Sequence, residues 1–300
     1  MTAPTPPRSA QDDPVDTSLK RLLTVERIEN DFFRGIATPG GRGRSFGGQV
    51  IGQALMSATM TVDEIRAANS LHAYFMRPGD AAAPVLYRVE RDYDGRSFST
   101  RRVVAIQNGR PILNMAASFH IKEPGLSHQD VMPDVPAPED LETDVALAER
   151  HRDTLPERYL THLKWERPVE IRPVLMRPPF PTEDFSPVQH LWIRVTGPVG
   201  DAPAMHRAAL AFASDMGLLG VSMIAHRKSF ANPEIQAASL DHALWIHGDF
   251  RADEWLLYSM DSPWAGGARG FNRGRVFTRD GVLVASAAQE GLIRVVTPKA

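Results

Sequence analysis

The chain has no cysteine, which excludes disulfides, thiolate-held metals and a cysteine nucleophile. It has almost no charge imbalance. Its 34 Lys and Arg against 36 Asp and Glu leave a formal net charge of −2, so nothing draws it generally to nucleic acid or an anionic membrane. It also lacks a long uninterrupted apolar run. The nearest, AALAFASDMGLLGVSMIA (208–225), contains an aspartate, two serines and two glycines. It reads as a buried helix followed by a turn, and we expect no membrane span. The opening MTAPTPPRSAQDDPVDTS has four prolines and no apolar stretch. Residues 1–18 therefore read as a disordered lead-in, neither signal nor anchor, and cytoplasm is the default expectation.

What is present is ordinary for a globular protein. With 300 residues, 43% hydrophobic and 23% charged, the chain has room for one large domain or two of about 150 residues. It also repeats itself. SLHAYFMRPGD (70–80) and SLDHALWIHGDF (239–250) both open on Ser-Leu and carry Gly-Asp at a common offset of 169 (239 − 70, 249 − 80). QNGRPILNMAAS (107–118) and RDGVLVASAAQ (279–289) share a turn dipeptide, Asn-Gly or Asp-Gly, followed by an apolar strand. Both dipeptides favour tight hairpins. A small-residue-rich, apolar segment precedes each Ser-Leu strand: FGGQVIGQALMSATM (46–60) and HRAALAFASDMGLLG (206–220). Each half thus reads helix, strand, strand, hairpin, strand, an α+β unit with one helix laid on an antiparallel sheet. The first unit spans 19–135 and the second 136–300, joined by a proline- and acid-rich linker at about 122–144. On the Ser-Leu match Ser70 falls where Ser239 does, and at the ends of the two hairpin segments Ser118 stands in the place of Gln289.

Four readings of chemistry compete. GRSFG (43–47) matches a nucleophile elbow formally, but the residues before it are loop rather than a delivering strand, so an accidental match is favoured. Asp241, His242, His247 and Asp249 cluster in sequence. Strand alternation separates His242 from Asp241 and His247, so no metal is expected. The arginine-glycine run GGARGFNRGR (266–275) lies between apolar runs and reads as sheet and turn. Three residues are more informative. Asp215 is the only ionisable residue from Ala208 to Ala225; it is either a helix-end residue facing water or a buried base. Gln289 interrupts an apolar strand and is either an edge residue or functional. Ser239 shares a strand face with Asp241, the competing carboxylate.

FGGQVIGQAL, LHAYFMRPGD, RSFSTRRVVAIQNGRPIL, FASDMGLL, SLDHALWIH, EWLLYSMDS, ARGFNRGRVFTRDGVLVAS and AAQEG together resemble the type II acyl-CoA thioesterases, in family order from about residue 20 to 294. The resemblance implies a double hot-dog fold, two tandem units of a long helix wrapped by an antiparallel sheet. It places a catalytic trio on Asp215, Ser239 and Gln289, with serine where many members carry threonine. It also implies a homo-oligomer, because hot-dog units commonly pair through their sheets. The substrate would be acyl-CoA, with no cofactor. Asp215 would act as general base on a water fixed by Ser239 and Gln289. Gly47 and Gly48, opening the first helix, would leave backbone N–H groups free for an oxyanion. Arg101 and Arg269 are the candidates for the coenzyme A phosphates. Two alternatives stay open: Ser239 as a covalent nucleophile forming an acyl-enzyme, and a binding module without catalysis. Because the first repeat lacks a carboxylate in its helix, one catalytic centre per chain is expected.

Overall fold

A computed structural model describes residues 18–163 and 167–296. The 1–18 lead-in therefore lies, apart from Ser18, outside the described residues. The chain begins with a short helix α1 (Leu19–Leu23) and two strands, β1 (Val25–Glu29) and β2 (Phe32–Gly35). Helix α2 (Gly47–Thr59) follows, then β3 (Arg66–Phe75), β4 (Val85–Asp94), β5 (Phe98–Gln107) and β6 (Arg110–Ile121). Two small helices, α3 (Asp144–Arg150) and α4 (Glu157–Leu163), lead to β7 (Val169–Pro173) and β8 (Val188–Val195). Helix α5 (Pro203–Ser214), a 3-10 turn and the single turn α6 (Val221–Ile224) precede β9 (Ile235–Ser239) and β10 (Asp241–Ile246). Strands β11 (Leu256–Gly266), β12 (Arg269–Thr278) and β13 (Leu283–Val295) close the fold.

All pairings are antiparallel and form one sheet, in the order β1-β2-β4-β5-β6-β3-β10-β13-β12-β11-β8-β7, with β9 also on β13. The two halves meet edge to edge at β3 and β10, where Leu244 lies opposite Leu71. This is the double hot-dog, α+β arrangement. Two features were not legible in the strand patterns. Each helix is preceded by an extra strand pair, and the Ser239 strand is broken at Leu240 into β9 and β10.

Helices α2 and α5 fill the concave side of the sheet. Helix α5 is rich in alanine, which favours helix, whereas the glycines of α2 cost helix propensity and allow close packing. They run in opposite directions: a Cβ added at Gly48 would lie 2.3 Å from the Phe212 carbonyl, and one at Gly52 3.1 Å from that of Ala208. The start of α2 thus touches the end of α5, and only glycine permits that approach at position 48. Ile51, Ala54, Leu55, Ala208, Leu210 and Phe212 are buried there against alternate residues of the strands. The long apolar stretch ending at Ala225 is core, most of it buried between helix and sheet.

The linker is less free than its composition suggests. Met132, Val135 and Leu141 pack on the outer sheet face against Trp192, Leu257 and Phe277, and the Trp192 indole donates to the Pro136 carbonyl at 2.9 Å.

The strand pairings align the repeats. Register shifts fall at Ala105/Ile106 in the first hairpin and Val276/Phe277 in the second, an offset of 171 (276 − 105). The turn between β5 and β6 has two residues, Asn108 and Gly109, both at positive φ. The turn between β12 and β13, closed where the Thr278 N–H donates to the Val282 carbonyl, has three residues, Arg279 to Gly281, so the offset becomes 172 on the last strand (285 − 113). On this alignment buried positions coincide. Arg101 matches Asn272, Tyr87 matches Tyr258, and Ala117 matches Gln289. Ala68, opposite Phe119, matches Ser239, opposite Gly291. The Ser70 correspondence drawn from the Ser-Leu echo and the Ser118 correspondence drawn from the hairpin segments are therefore corrected. A register shift between Ala68 and Ser70, like the break at Leu240, turns Ser70 to the other face from Ala68, as Asp241 is turned from Ser239. A slip of one residue flips the strand face, which puts Ser118 on the other face from the Gln289 counterpart.

Candidate active site

Helix α5 ends on Asp215 because Gly217 follows in the left-handed region (φ 80°) and turns the chain away. Asp215 is the C-cap and is half-buried. Strand β13 brings Gln289 to it from the concave face. The Gln289 side chain is fully buried, and its amide nitrogen donates to Asp215 Oδ1 at 2.7 Å. Oδ2 faces the other way, toward the first turn of α2: a Cβ on Gly47 would lie 2.7 Å from it and 2.8 Å from the Phe75 ring. No side chain caps that helix start, so its first-turn N–H groups point at the carboxylate region. Ser239, directly opposite Gly291, shares the concave face with Gln289, one diagonal step away. It is half-buried, and its hydroxyl makes no hydrogen bond to another described residue. Phe46, Phe75 and Met216 line the same end as partly buried apolar groups.

Beneath this surface lies a polar layer that the sequence patterns did not identify. Gln289 Nε2 also lies 3.3 Å from His242 Nδ1, and His242 Nε2 lies 2.9 Å from Ser214 Oγ. Tyr258 donates to the Ser214 carbonyl at 2.8 Å. Burial lowers the His242 pKa, with the nearby Asp215 charge opposing, and burial pushes Tyr258 up, with Asp215 adding. The ring is thus neutral and the phenol protonated. The available signal was alternation: His242 falls on the face of buried Leu244, which marks it as a core residue needing polar partners.

The other candidates fall elsewhere. Arg101 is buried, and its guanidinium donates to Thr61 Oγ1 and O, to the Tyr93 and Thr100 carbonyls and to Asp94. Every donor direction is committed, so it is no phosphate ligand, and that expectation is withdrawn. Arg269 is exposed, paired with Glu290 at 3.3 Å and over the Trp264 ring. Asp241 is turned from the site and accepts from the Glu290 backbone at 2.7 Å. Ser45 sits in a loop, its backbone bonded to Gly79, with no strand delivering it.

The profile of the acyl-CoA thioesterase family matches residues 160–292, and that of the acyl-CoA thioesterase N-terminal domain matches 37–120. Human acyl-coenzyme A thioesterase 8 is 42% identical over 282 residues, covering 91% of this chain and 88% of that protein. Acyl-CoA thioesterase 2 of Haemophilus influenzae is 36% identical, over 92% and 97% of the respective chains. The crystal structure of acyl-CoA thioesterase II TesB2 from Mycobacterium marinum superposes with a TM-score of 0.76 at 40% identity, over 93% and 99%. Sequence, fold and these relatives agree: the chain belongs to the acyl-CoA thioesterase family, a family of thioester hydrolases.

Proposed function

We propose that this protein hydrolyses acyl-CoA to a free fatty acid and coenzyme A, by direct attack of a water that Asp215 deprotonates. The observation carrying this reading is the placement of one carboxylate between the Gln289 amide and the uncapped start of α2. A thioester is an activated acyl group, so an oriented, partly deprotonated water suffices. The water oxygen bonds to the carbonyl carbon while its proton passes to Asp215. The tetrahedral oxyanion then collapses, the carbon–sulfur bond breaks, and the leaving thiolate takes up the proton. Gln289 Oε1 is buried and has no partner among the described residues, so it can accept from that water. The Ser239 hydroxyl supplies a second contact, and the two together fix the direction of attack. The N–H groups of Gly47 and Gly48 would meet the developing oxyanion, with no side chains in the way. Phe46, Phe75 and Met216 offer apolar surface to the acyl side.

A covalent route through Ser239 would call for a base hydrogen-bonded to its hydroxyl. The nearby imidazole of His242 is spent on Gln289 and Ser214 instead.

The test is release of free thiol from acyl-CoAs of short to long chain, with intact-mass measurement during turnover. We expect thiol release without an acyl adduct on the protein. A transient adduct on Ser239 would replace water attack by the covalent route, and binding without thiol release would leave a binding module.

A further inference from the structure

Water attack as described uses Asp215, Ser239 and Gln289, yet three more polar residues, His242, Ser214 and Tyr258, are buried directly behind them. Gln289 and His242 have no exposure at all, and Ser214 has none either. Burying so many polar atoms is costly unless each is matched, and here the matches run in one direction. Ser214 Oγ donates to the Ala211 carbonyl at 3.2 Å, so its oxygen is left to accept from His242 Nε2–H. Nδ1 is then bare and accepts one Gln289 amide hydrogen at 3.3 Å, while the other goes to Asp215 at 2.7 Å. A glutamine amide otherwise turns broadly about its last torsion. Turned over, it would aim Oε1 at the Asp215 carboxylate and offer the water an N–H in place of the amide acceptor.

We propose that His242 is a positioning residue, holding the Gln289 amide so that its N–H faces Asp215 and its oxygen faces the attacking water. This rests on the thioesterase reading above. The first repeat supports it by contrast. There Leu71 lies opposite Ala117, at the places of His242 and Gln289. The histidine and the amide it would orient are present together in one repeat and missing together in the other. The link also reaches the helix: Ser214 immediately precedes Asp215, and Tyr258 fixes its carbonyl. His242 thus ties the sheet residue of the site to the helix segment that carries the base.

The test is steady-state kinetics of the full chain on an acyl-CoA, with His242→Asn, His242→Gln and His242→Leu, each alone and combined with Gln289→Ala. Asparagine can set its Oδ1 where Nδ1 stands and still accept from Gln289. Glutamine reaches the Nε2 position and serves Ser214 but not Gln289. We expect His242→Asn to keep kcat within about threefold, and His242→Gln and His242→Leu to lower it roughly 10–100-fold at unchanged KM, the scale of a misplaced reacting group. In the Gln289→Ala background all three should share one kcat within about twofold, because the histidine acts through the amide. Losses that multiply in that background would overturn the proposal, as would His242→Asn failing as badly as His242→Leu at equal Tm. If His242→Leu does not fold, the Asn and Gln variants at matched Tm decide. A wild-type rate in Gln289→Ala would instead remove the underlying role of Gln289, and this proposal with it.

Discussion

Helices α2 and α5 occupy equivalent places in the two repeats, but α2 ends on Met60 and α5 on Asp215. Around Met60 the counterparts of the site are Ala68, Leu71 and Ala117, and the end of the helix is sealed. Arg101 bonds the hydroxyl and carbonyl of Thr61 at 2.9 and 3.0 Å, closing the turn that follows Met60. Around Asp215 the counterpart of Arg101 is Asn272, fully buried, with Oδ1 unpartnered among the described residues. The chain there also continues through α6 before returning at Ile235, where the first repeat returns at Arg66. What both repeats keep is the frame: Tyr87 donates to Gln53 at 2.7 Å and Tyr258 to the Ser214 carbonyl at 2.8 Å, each tying its helix to the sheet. Duplication has divided the work. One copy spends its buried cation on closing a helix end, and lends the uncapped start of that helix to the carboxylate of the other.

The comparison breaks most directly at the base. Asp215→Asn keeps the shape and the Gln289 contact but removes the proposed proton acceptor, so kcat should fall roughly 10²–10⁴-fold. Met60→Leu, at the equivalent place, should leave kcat within about twofold. Thiol-release kinetics on both variants decides it. Near-normal turnover in Asp215→Asn would remove the assignment of the base.

The next effect concerns the groups on the water. Gln289→Ala and Ser239→Ala should each lower kcat by about 10–100-fold, and the double variant by less than the product, because in the proposed mechanism both act on one water. Ser70→Ala and Ser118→Ala should be silent, since neither stands at a site position. Titration with a non-hydrolysable acyl-CoA analogue should saturate at one per chain. Saturation at two, with two equal catalytic sites, would end the division of labour.

Arg101 separates stability from catalysis. Arg101→Met strands the carbonyls of Thr61, Tyr93 and Thr100 and frees Asp94, whose carboxyl Arg101 holds below its usual range. Asp94 is half-exposed, at 53%, so its charge rehydrates and the loss comes from the buried acceptors. We expect about 2–4 kcal/mol less stability by denaturant unfolding, with KM for acyl-CoA unchanged. A raised KM at full stability would restore Arg101 as a phosphate ligand.

The repeat, the two helices and the hairpins were legible because periodicity and turn dipeptides are local. Asp215 was legible as an isolated charge in an apolar segment. The register between the halves was not. It hangs on a third residue in the Arg279–Gly281 turn and on the break at Leu240, and neither has a mark that a Ser-Leu match can detect. The fate of Arg101 was equally hidden, because its partners are mostly backbone carbonyls from the turn after α2, from β4 and from its own strand. The partners of His242 were hidden for a related reason. A buried imidazole gains its meaning from Gln289 and Ser214, which lie 47 and 28 residues away.

The smallest expected effect lies at Asp241, which the corrected register matches with Ser70. Burial raises its carboxyl above the usual aspartate range; the Glu290 backbone N–H opposes this and the Glu290 charge adds to it. A carboxyl raised in the native state binds its proton more tightly there than in the unfolded chain. Stability should therefore fall as pH rises from about 4, the unfolded value, through the native value, and then level off. Asp241→Asn removes that titration while its Oδ1 can still accept from the Glu290 backbone. At pH 7 the variant should be as stable as wild type or slightly more so, and the difference should vanish near pH 3. Its kcat should stay within about threefold, since the side chain faces away from Gln289. Urea midpoints at pH 3, 5 and 7, with thiol release at pH 7, measure both. A fall in kcat comparable to that of Asp215→Asn, without loss of stability, would transfer the base to Asp241 and erase the contrast with Ser70.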